Sequence, residues 1–263
     1  MRIATFNVNS IRSRIGRVEA LLERHSIDVL AIQETKARDD QFPLMGLQAL
    51  GYDVATFGYS QWNGVAIASR VGIEDIQTGF ERMPQWGDPL EFEARALGAT
   101  CGGVRVWSLY VPNGRKLNDP HMDYKLGWLD RLHEAALGWL EKDPETQVAL
   151  MGDWNIAPRD EDVWDMSVFA HSTHVTPPER AAFAAFLESG YVDVARPHEP
   201  GPGAYTYWDY YRQRFERNKG MRIDFVLGSP ALARRVTGAR IDREERAGKG
   251  ASDHAPLIVD VAD

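Results

Sequence analysis

Short apolar runs that end in polar residues recur along the chain. Each run has the length of a buried strand, and the polar residues at its end have no role in packing a core. The six segments read RIATFNVNS, DVLAIQETK, VRVWSLYVPNG, QVALMGDWN, MRIDFVLGS and SDHAPLIVDV, and they begin at positions 2, 28, 104, 147, 221 and 252. We predict core strands that carry chemical groups at comparable ends.

Helical patterns lie between these runs. Val18, Leu21 and Leu22 predict a helix over 17–25, and leucines at helical spacing predict another over 123–142. The segment PERAAFAAFLESG, from residue 178, starts with a helix-compatible Pro-Glu and reaches a C-cap at Gly190. Strand-rich segments with few intervening helices favour an α/β sandwich, in which two mixed sheets pack face to face with helices outside.

The chain has no linker or low-complexity tract, so we predict one domain over residues 1–263. Its long irregular stretches, 159–180 and 196–220, are candidate functional loops. The single cysteine, Cys101, excludes an internal disulfide framework, fits a reducing compartment and is interpreted as structural. No apolar run approaches the roughly 18 residues of a membrane span, and no signal-peptide stretch opens the chain. We therefore expect a cytoplasmic protein without a membrane segment.

Charge and aromatic content give two interpretations of one loop. The net charge of −8 argues against nonspecific attraction to nucleic acid, although an acidic pocket adds negative charge without touching a binding rim. The segment AYTYWDYYRQRF, from residue 204, mixes aromatic residues with Arg212 and Arg214, and Arg217 and Lys219 follow. Aromatic faces suit bases or sugars, and arginines suit phosphates. The alternatives are a surface hairpin that packs on its own sheet and a solvated basic surface.

The polar residues at the strand ends form an oxygen-rich set without a thiolate. If they converge, hard oxygen ligands suit Mg²⁺ or Mn²⁺ rather than zinc, and spare carboxylates remain for acid–base work. Any one of these residues alone is more simply explained as a turn, cap or core residue, but their repetition favours a site. The set comprises Asn7, Asn9, Glu34, Tyr110, Asp153, Asn155, Asp224, Asp253 and His254.

Local spacing suggests how some of these residues are arranged. Side chains alternate along a strand, so Asp153 and Asn155 should face the same side while Trp154 points the other way. By the same argument Asp253 and His254 have different partners, and Asp224 is the natural acid to orient His254. Two other patterns are weak. His171 and His174 lack further zinc ligands, and Gly248-Lys249-Gly250 does not match a P-loop.

Seven stretches resemble one known family. FNVNSIRSR, DVLAIQETK, YVPNG, GDWNIAPRDEDV, YTYWDY, GMRIDFVL and SDHAPL, which run from residue 6 to 257, are similar to the exonuclease III branch of the endonuclease/exonuclease/phosphatase superfamily. That branch includes the apurinic/apyrimidinic (AP) endonucleases. The resemblance implies a four-layered α/β sandwich, Mg²⁺ or Mn²⁺ as cofactor, and double-stranded DNA with abasic sites or 3′-blocked ends as partner. It implies cleavage 5′ to abasic sites, with 3′–5′ exonuclease and 3′-phosphatase or phosphodiesterase activity.

The resemblance also assigns residues to roles. Glu34 would be the principal metal ligand, with Asn7 and Asp253 in support. Asp153 would activate or position the attacking water, and Asn155 would hold the phosphate or that water. The remaining catalytic residues would stabilise the transition state or contact the scissile phosphate, and they are His254 with its partner Asp224, and Tyr110.

Substrate recognition is assigned to other positions. Trp208, Met221 and Ile223 would form a small apolar pocket for the abasic sugar, and Asn113 and Arg222 would also bind substrate. Met221 stands where some relatives carry an aromatic residue, so the chain departs from the family pattern there. The alternatives are a phosphatase or phosphodiesterase acting on lipids or inositol phosphates, and a non-enzymatic regulator, which the retained carboxylates disfavour. A monomer is the default expectation.

Overall fold

Two six-stranded mixed sheets form the centre of the structure, a computed structural model that describes residues 1–262. The first sheet contains β1 (Arg2–Asn7), β2 (Val29–Gln33), β3 (Asp53–Phe57), β4 (Val65–Ser69), β11 (Val236–Ile241) and β12 (Leu257–Val261), in the order β11-β12-β1-β2-β4-β3. The second contains β5 (Glu74–Thr78), β6 (Ala96–Cys101), β7 (Val104–Tyr110), β8 (Val148–Asp153), β9 (Val192–Asp193) and β10 (Asp224–Gly228), in the order β5-β6-β7-β8-β10-β9.

Helices cover the outer faces of both sheets. They are α1 (Ile11–His25), α2 (Leu44–Ala49), α3 (Pro120–Lys142) and α5 (Pro177–Glu188). Of the two short helices, α4 (Met166–Phe169) packs in a small apolar cluster with Val163, and α6 (Pro230–Ala233) packs in the cluster between the sheets. Leu21 and Leu22 of α1 pack on the first sheet, and Trp128 of α3 and Phe183 of α5 pack on the second. These helices are amphipathic because one face must meet a sheet while the other meets water.

Three apolar layers therefore hold four layers of secondary structure together. The cluster between the sheets includes Val29, Val106 and Met151, and it also buries Cys101, as expected for a structural cysteine. Strands β2, β4 and β8 are buried along their whole length because each is covered on both faces. The predicted α/β sandwich, with mixed sheets face to face and helices outside, is confirmed.

The observed helices extend the predicted ones at their starts. The first begins at Ile11 rather than at residue 17. The helix α3 begins at Pro120 because Asp119 accepts a hydrogen bond from the backbone N–H of His121, which caps its N-terminus. The helix α5 ends at Glu188 with Ser189 as its C-cap, and Gly190 follows with a φ of 104°. Among residues 1–262 no helix has the length and apolar character needed to cross a membrane.

The strand directions bring the predicted polar residues to one edge. The strands β1 and β2 run parallel, with Asn7 opposite Gln33, and β7 and β8 run parallel, with Tyr110 opposite Asp153. Antiparallel β10 starts where β8 ends, so Asp224 faces Asp153. The prediction of a single domain over 1–263 stays a prediction, and its last residue, Asp263, lies outside the described range.

Candidate active site

Two carboxylates, one amide and one imidazole meet at the shared edge of the two sheets. The Asn7 side-chain amide donates to Oε1 of Glu34 at 2.8 Å and to Oδ2 of Asp153 at 3.0 Å. Nε2 of His254 lies 3.8 Å from the same Asp153 oxygen. Asn7 and Asp153 are at most 1% exposed, and Glu34 forms the more open side of the cluster. The topology thus joins residues from both sheets that are far apart in sequence.

Burial and mutual charge set unusual proton affinities at this edge. Burial raises the pKa of the Asp153 carboxyl to about 7, with a further contribution from the charges of Asp224 and Glu34, while His254 opposes the rise. Burial lowers the pKa of His254, but the carboxylates of Asp224, Asp153 and Asp253 outweigh it and raise the value to about 10. A carboxyl that titrates near neutral pH stands beside an imidazolium, which is an arrangement suited to proton transfer and anion stabilisation.

The neighbouring residues Asp253 and His254 have separate partners, as the sequence predicts. Nδ1 of His254 lies 2.8 Å from Oδ2 of Asp224, which is 1% exposed. Asp253 instead accepts a hydrogen bond from the Asn9 amide at 3.0 Å. The predicted His254–Asp224 pair is therefore present, and Asp253 lies in a second contact group with Asn9.

Tyr110 borders the cluster at the end of β7. Burial raises the pKa of its hydroxyl well above the usual value, and the charge of Glu34 raises it further. The guanidinium of Arg95 lies 4.7 Å from the centre of the Tyr110 ring, and its Nε donates to Glu93 at 2.6 Å. Tyr110 is thus held as a neutral phenol, which can donate a hydrogen bond toward the cluster.

The segment around Asn155 departs from the arrangement expected of a strand. Strand β8 ends at Asp153, and the backbone N–H of Asn155 donates to Oδ1 of Asp153 at 2.9 Å. Asn155 has a φ of 51°, in the left-handed region where Asn is tolerated. The alternation argument is therefore wrong for this pair, because a tight turn rather than extended backbone places Asn155. Trp154 does point the other way, against Phe183 and Phe186 in the core.

Sequence reasoning missed the group that positions Asn155. Its Oδ1 lies 3.1 Å from both the Asn113 amide and Nε2 of His174, and its backbone carbonyl accepts from Lys125 Nζ at 2.7 Å. Lys125 in turn forms a fully buried ion pair with Glu179. Helices α3 and α5 supply these two charges, which the pattern of polar strand ends could not indicate. His174 contacts Asn155 and the Asn113 amide.

The donor chemistry of the cluster fits a hard divalent cation. Ligand atoms of Glu34, Asp153 and His254 all lie within 4.8 Å of one another. Because Asp224 holds His254 as an imidazolium, a carboxylate rather than the imidazole suits a cation, and Glu34 is the better ligand, since its pKa is lowered whereas that of Asp153 is raised to about 7. Lys36 Nζ lies 2.9 Å from Oε2 of Glu34, and its charge, against the opposing effect of burial, keeps the pKa of that carboxyl low. The Glu34 carboxylate is therefore held in its charged form and already pairs with a positive charge.

The predicted substrate-binding residues are mostly buried. Trp208 is 0% exposed, and its indole N–H donates to Asn218 at 3.1 Å. Met221 and Ile223 pack in a small apolar cluster at 7% and 2% exposure. The structure places the Arg222 guanidinium against the Glu199 carbonyl, at 2.7 Å. The Asn113 side chain contacts Asn155 of the candidate site, and the Trp208 backbone N–H donates to the carbonyl of Asp253 at 2.8 Å.

Comparison with known proteins covers almost the whole chain. The profile of the endonuclease/exonuclease/phosphatase family matches residues 4–254. An exodeoxyribonuclease of Bacillus subtilis is 32% identical over 99% of this chain and 100% of its own length. An AP endonuclease structure from Archaeoglobus fulgidus has a TM-score of 0.92 at 35% identity, covering 99% of both chains. A 3′ phosphatase from Neisseria, bound to a product DNA hairpin, has a TM-score of 0.93 at 35% identity over 100% of both chains.

Proposed function

The chain belongs to the endonuclease/exonuclease/phosphatase family, and we propose that it is a divalent-metal-dependent DNA repair nuclease that cuts 5′ to abasic sites in duplex DNA. It is an enzyme that hydrolyses phosphodiester bonds of DNA. The observation that carries the proposal is the convergence of Glu34, Asp153 and His254 within 4.8 Å at the edge where both sheets end. The named relatives act on DNA ends and abasic sites, and Mg²⁺ or Mn²⁺ suits the oxygen ligands.

The residues of the site divide the work of hydrolysis. Asp153, with a pKa of about 7, can accept a proton from an attacking water at neutral pH. His254 remains an imidazolium and stabilises negative charge that develops on the phosphate oxygens. Asn7 holds the carboxylates of Glu34 and Asp153 at hydrogen-bond distance on either side of its amide. A bound divalent cation would supply further neutralisation of the phosphate charge beside Glu34.

A second candidate function is removal of groups or nucleotides from DNA 3′ ends. A lesion enzyme that swings out an abasic sugar needs an open pocket beside the site. The residues assigned to that pocket, Trp208, Met221 and Ile223, are at most 7% exposed, so they offer little surface to a sugar. The Neisseria relative, with a TM-score of 0.93, is described as a 3′ phosphatase. End processing needs no such pocket.

The deciding experiment presents three duplexes of identical sequence to the enzyme. One carries an internal abasic site, one a 3′-phosphate at a nick, and one an undamaged recessed 3′ end. Products are mapped at nucleotide resolution with Mg²⁺, with Mn²⁺ and with chelator. A cut 5′ to the abasic site supports the first proposal, and processing confined to the 3′ ends supports the second. Failure to hydrolyse any duplex, or preference for a phosphoinositide, rejects both.

A further inference from the structure

A cationic pocket lies outside the carboxylate cluster, between the loop that precedes β10 and the segment around Trp164. It has a volume of about 240 Å³ and is lined by Trp164, Val168, Arg212, Arg214, Arg217 and Lys219. We propose that this pocket, the basic pocket hereafter, binds backbone phosphates of the DNA several nucleotides away from the bond that is cut. The inference rests on the proposed function, since it assumes that DNA is the substrate.

The cations of the basic pocket contact aromatic rings rather than carboxylates, with Arg212 over Tyr211 and both Arg214 and Lys219 over Trp164. Arginine and lysine side chains elsewhere in the described chain commonly pair with carboxylates, as Arg196 does with Asp162 and Arg17 with Glu245. Within residues 1–262, by contrast, none of the four cations of the basic pocket forms an ion pair. Four unpaired positive charges in one cavity repel one another, and an anion relieves that repulsion. Their persistence in a chain of net charge −8 therefore indicates a polyanionic ligand.

The ring of Trp164 holds two of these cations close together. Lys219 Nζ lies 4.2 Å from the ring centre, and the Arg214 guanidinium lies 5.6 Å from it. Attraction between a cation and an aromatic ring is worth roughly 0.5–2 kcal/mol, enough to offset part of the repulsion between the two side chains. The pocket is thus organised before a ligand arrives, which lowers the cost of ordering long side chains on binding.

The position of the basic pocket relates it to the active site. Isolated strand pairings link Val163 to Met221, Met221 to Tyr207 and Tyr207 to His254. Each pairing separates backbones by about 5 Å, so the backbone of Val163, next to Trp164, lies within roughly 15 Å of the backbone of His254. Successive nucleotides of one strand advance about 3.4 Å along a duplex, so this distance corresponds to roughly four to five nucleotides. A duplex that crosses the active site can therefore reach the basic pocket with an outer phosphate.

The first test measures the salt dependence of binding. Arg212→Gln combined with Arg217→Gln removes two exposed cations of the pocket, and its matched control removes two exposed arginines elsewhere, Arg82→Gln with Arg234→Gln. Duplex affinity is measured by fluorescence anisotropy in chelator over a salt series. We expect the slope of log K against log salt to flatten by about 0.9 for each lost phosphate contact in the pocket variant. The control should keep the wild-type slope.

The second test uses substrate length. Wild type and the double pocket variant are compared on duplexes that end two or eight base pairs from the scissile phosphate, on each side in turn. On one side of the scissile phosphate, the short duplex should bind wild type and the pocket variant with equal affinity, because it lacks the outer phosphate that the basic pocket would contact. Arg214→Gln with Lys219→Gln, which removes the two cations on Trp164, should reproduce the result, and thermal melting checks that each variant is folded.

Three outcomes overturn the proposal. Equal flattening of the salt slope in the Arg82/Arg234 control would mean that only net charge matters. An affinity difference that does not depend on duplex length on either side would place the lost contact elsewhere. If wild-type protein neither binds nor cuts DNA, the proposed function itself fails. If wild type binds and cuts while the pocket variants match it, the basic pocket is a solvated surface and the proposed function stands.

Discussion

Replacing one member of the buried Lys125–Glu179 pair should test how much this pair stabilises the fold and the position of Asn155 in the candidate site. Neither side chain is exposed, and all three donors of Lys125 are used, on Glu179 and on the carbonyls of Asn155 and Asn113. Glu179 also accepts from the His174 backbone N–H at 2.9 Å. Burial would raise the pKa of Glu179, but the Lys125 charge keeps it lowered. All three donors of Lys125 are therefore satisfied, and the Glu179 carboxylate is held in its charged form beside it.

The size of the expected effect follows from that burial. Lys125→Met leaves the Glu179 charge buried without its partner, which costs about 3–5 kcal/mol. At roughly 2–4 °C per kcal/mol for a chain of this size, the melting temperature should fall by about 6–20 °C. Adding Glu179→Gln removes the unpaired buried charge. The stability loss of the double variant should therefore be smaller, by about 2 kcal/mol, than the sum of the losses of the two single variants.

Urea unfolding of the two single variants and the double variant measures these energies, and Arg131→Met provides the control. Arg131 lies on the same helix but forms an exposed i,i+3 pair with Glu134, so its loss should cost below about 0.5 kcal/mol. Cleavage assayed well below the melting temperature should also slow for Lys125→Met, because the backbone carbonyl of Asn155 loses its hydrogen-bond donor. Additive losses, or a Lys125→Met cost no larger than the control, would refute the argument.

Four further substitutions address the site itself. Asp153→Asn should abolish cleavage while DNA binding by anisotropy persists, and near wild-type cleavage would reject its role in activating water. Glu34→Gln should weaken Mn²⁺ binding in calorimetry by at least tenfold, and unchanged binding would remove it from the metal site. Trp208→Ala should cost about 3–5 kcal/mol in urea unfolding, because the side chain is fully buried, whereas a stable variant with selective loss of abasic cleavage would favour the sugar pocket. Asp224→Asn should lower the pKa of His254 from about 10. Because the folded-state pKa of His254 is raised, the stabilisation from its pairing with Asp224 is complete below about pH 6.5 and is lost as pH rises through 10. The variant should therefore lose less stability over that pH range. An NMR titration without metal that still gives a His254 pKa of about 10 would refute the pairing.

The strands and the polar residues at their ends were accessible from sequence for one physical reason. A buried strand shows a continuous apolar run, so a carboxylate or amide at its end is visible as a break in that run. Parallel β1 and β2, and parallel β7 and β8, then bring those breaks to one edge. The fold and the convergence of Asn7, Glu34, Asp153, Asp224 and His254 follow from this combination of pattern and topology.

Residues contributed by helices and loops could not be found in the same way. Lys125 lies on a helix face that reads as amphipathic, and nothing in its spacing distinguishes a charge that is buried from one that is solvated. Its partner Glu179 reads as the N-terminal acid of a capped helix, and it does fill that role with Thr176. Likewise Trp208 resembles an exposed aromatic of a basic loop until tertiary packing against Phe215 shows it to be buried. Such distinctions depend on contacts between distant segments.

Sequence also could not predict the backbone conformation of the candidate catalytic and metal-binding residues, because the strands end at these positions. Glu34 has a φ of 51°, as Asn155 does, and such conformations cost roughly 1–3 kcal/mol for residues other than glycine. Neighbouring hydrogen bonds impose the turn at Glu34, since its carbonyl accepts from Ser10 at 2.8 Å and the next N–H donates to Gly64 at 3.1 Å. Leaving the ladder frees the Glu34 carboxylate to meet Asn7 from the adjacent strand. The end of an apolar run therefore locates such residues, but alternation along the strand cannot orient them, because the strand ends there.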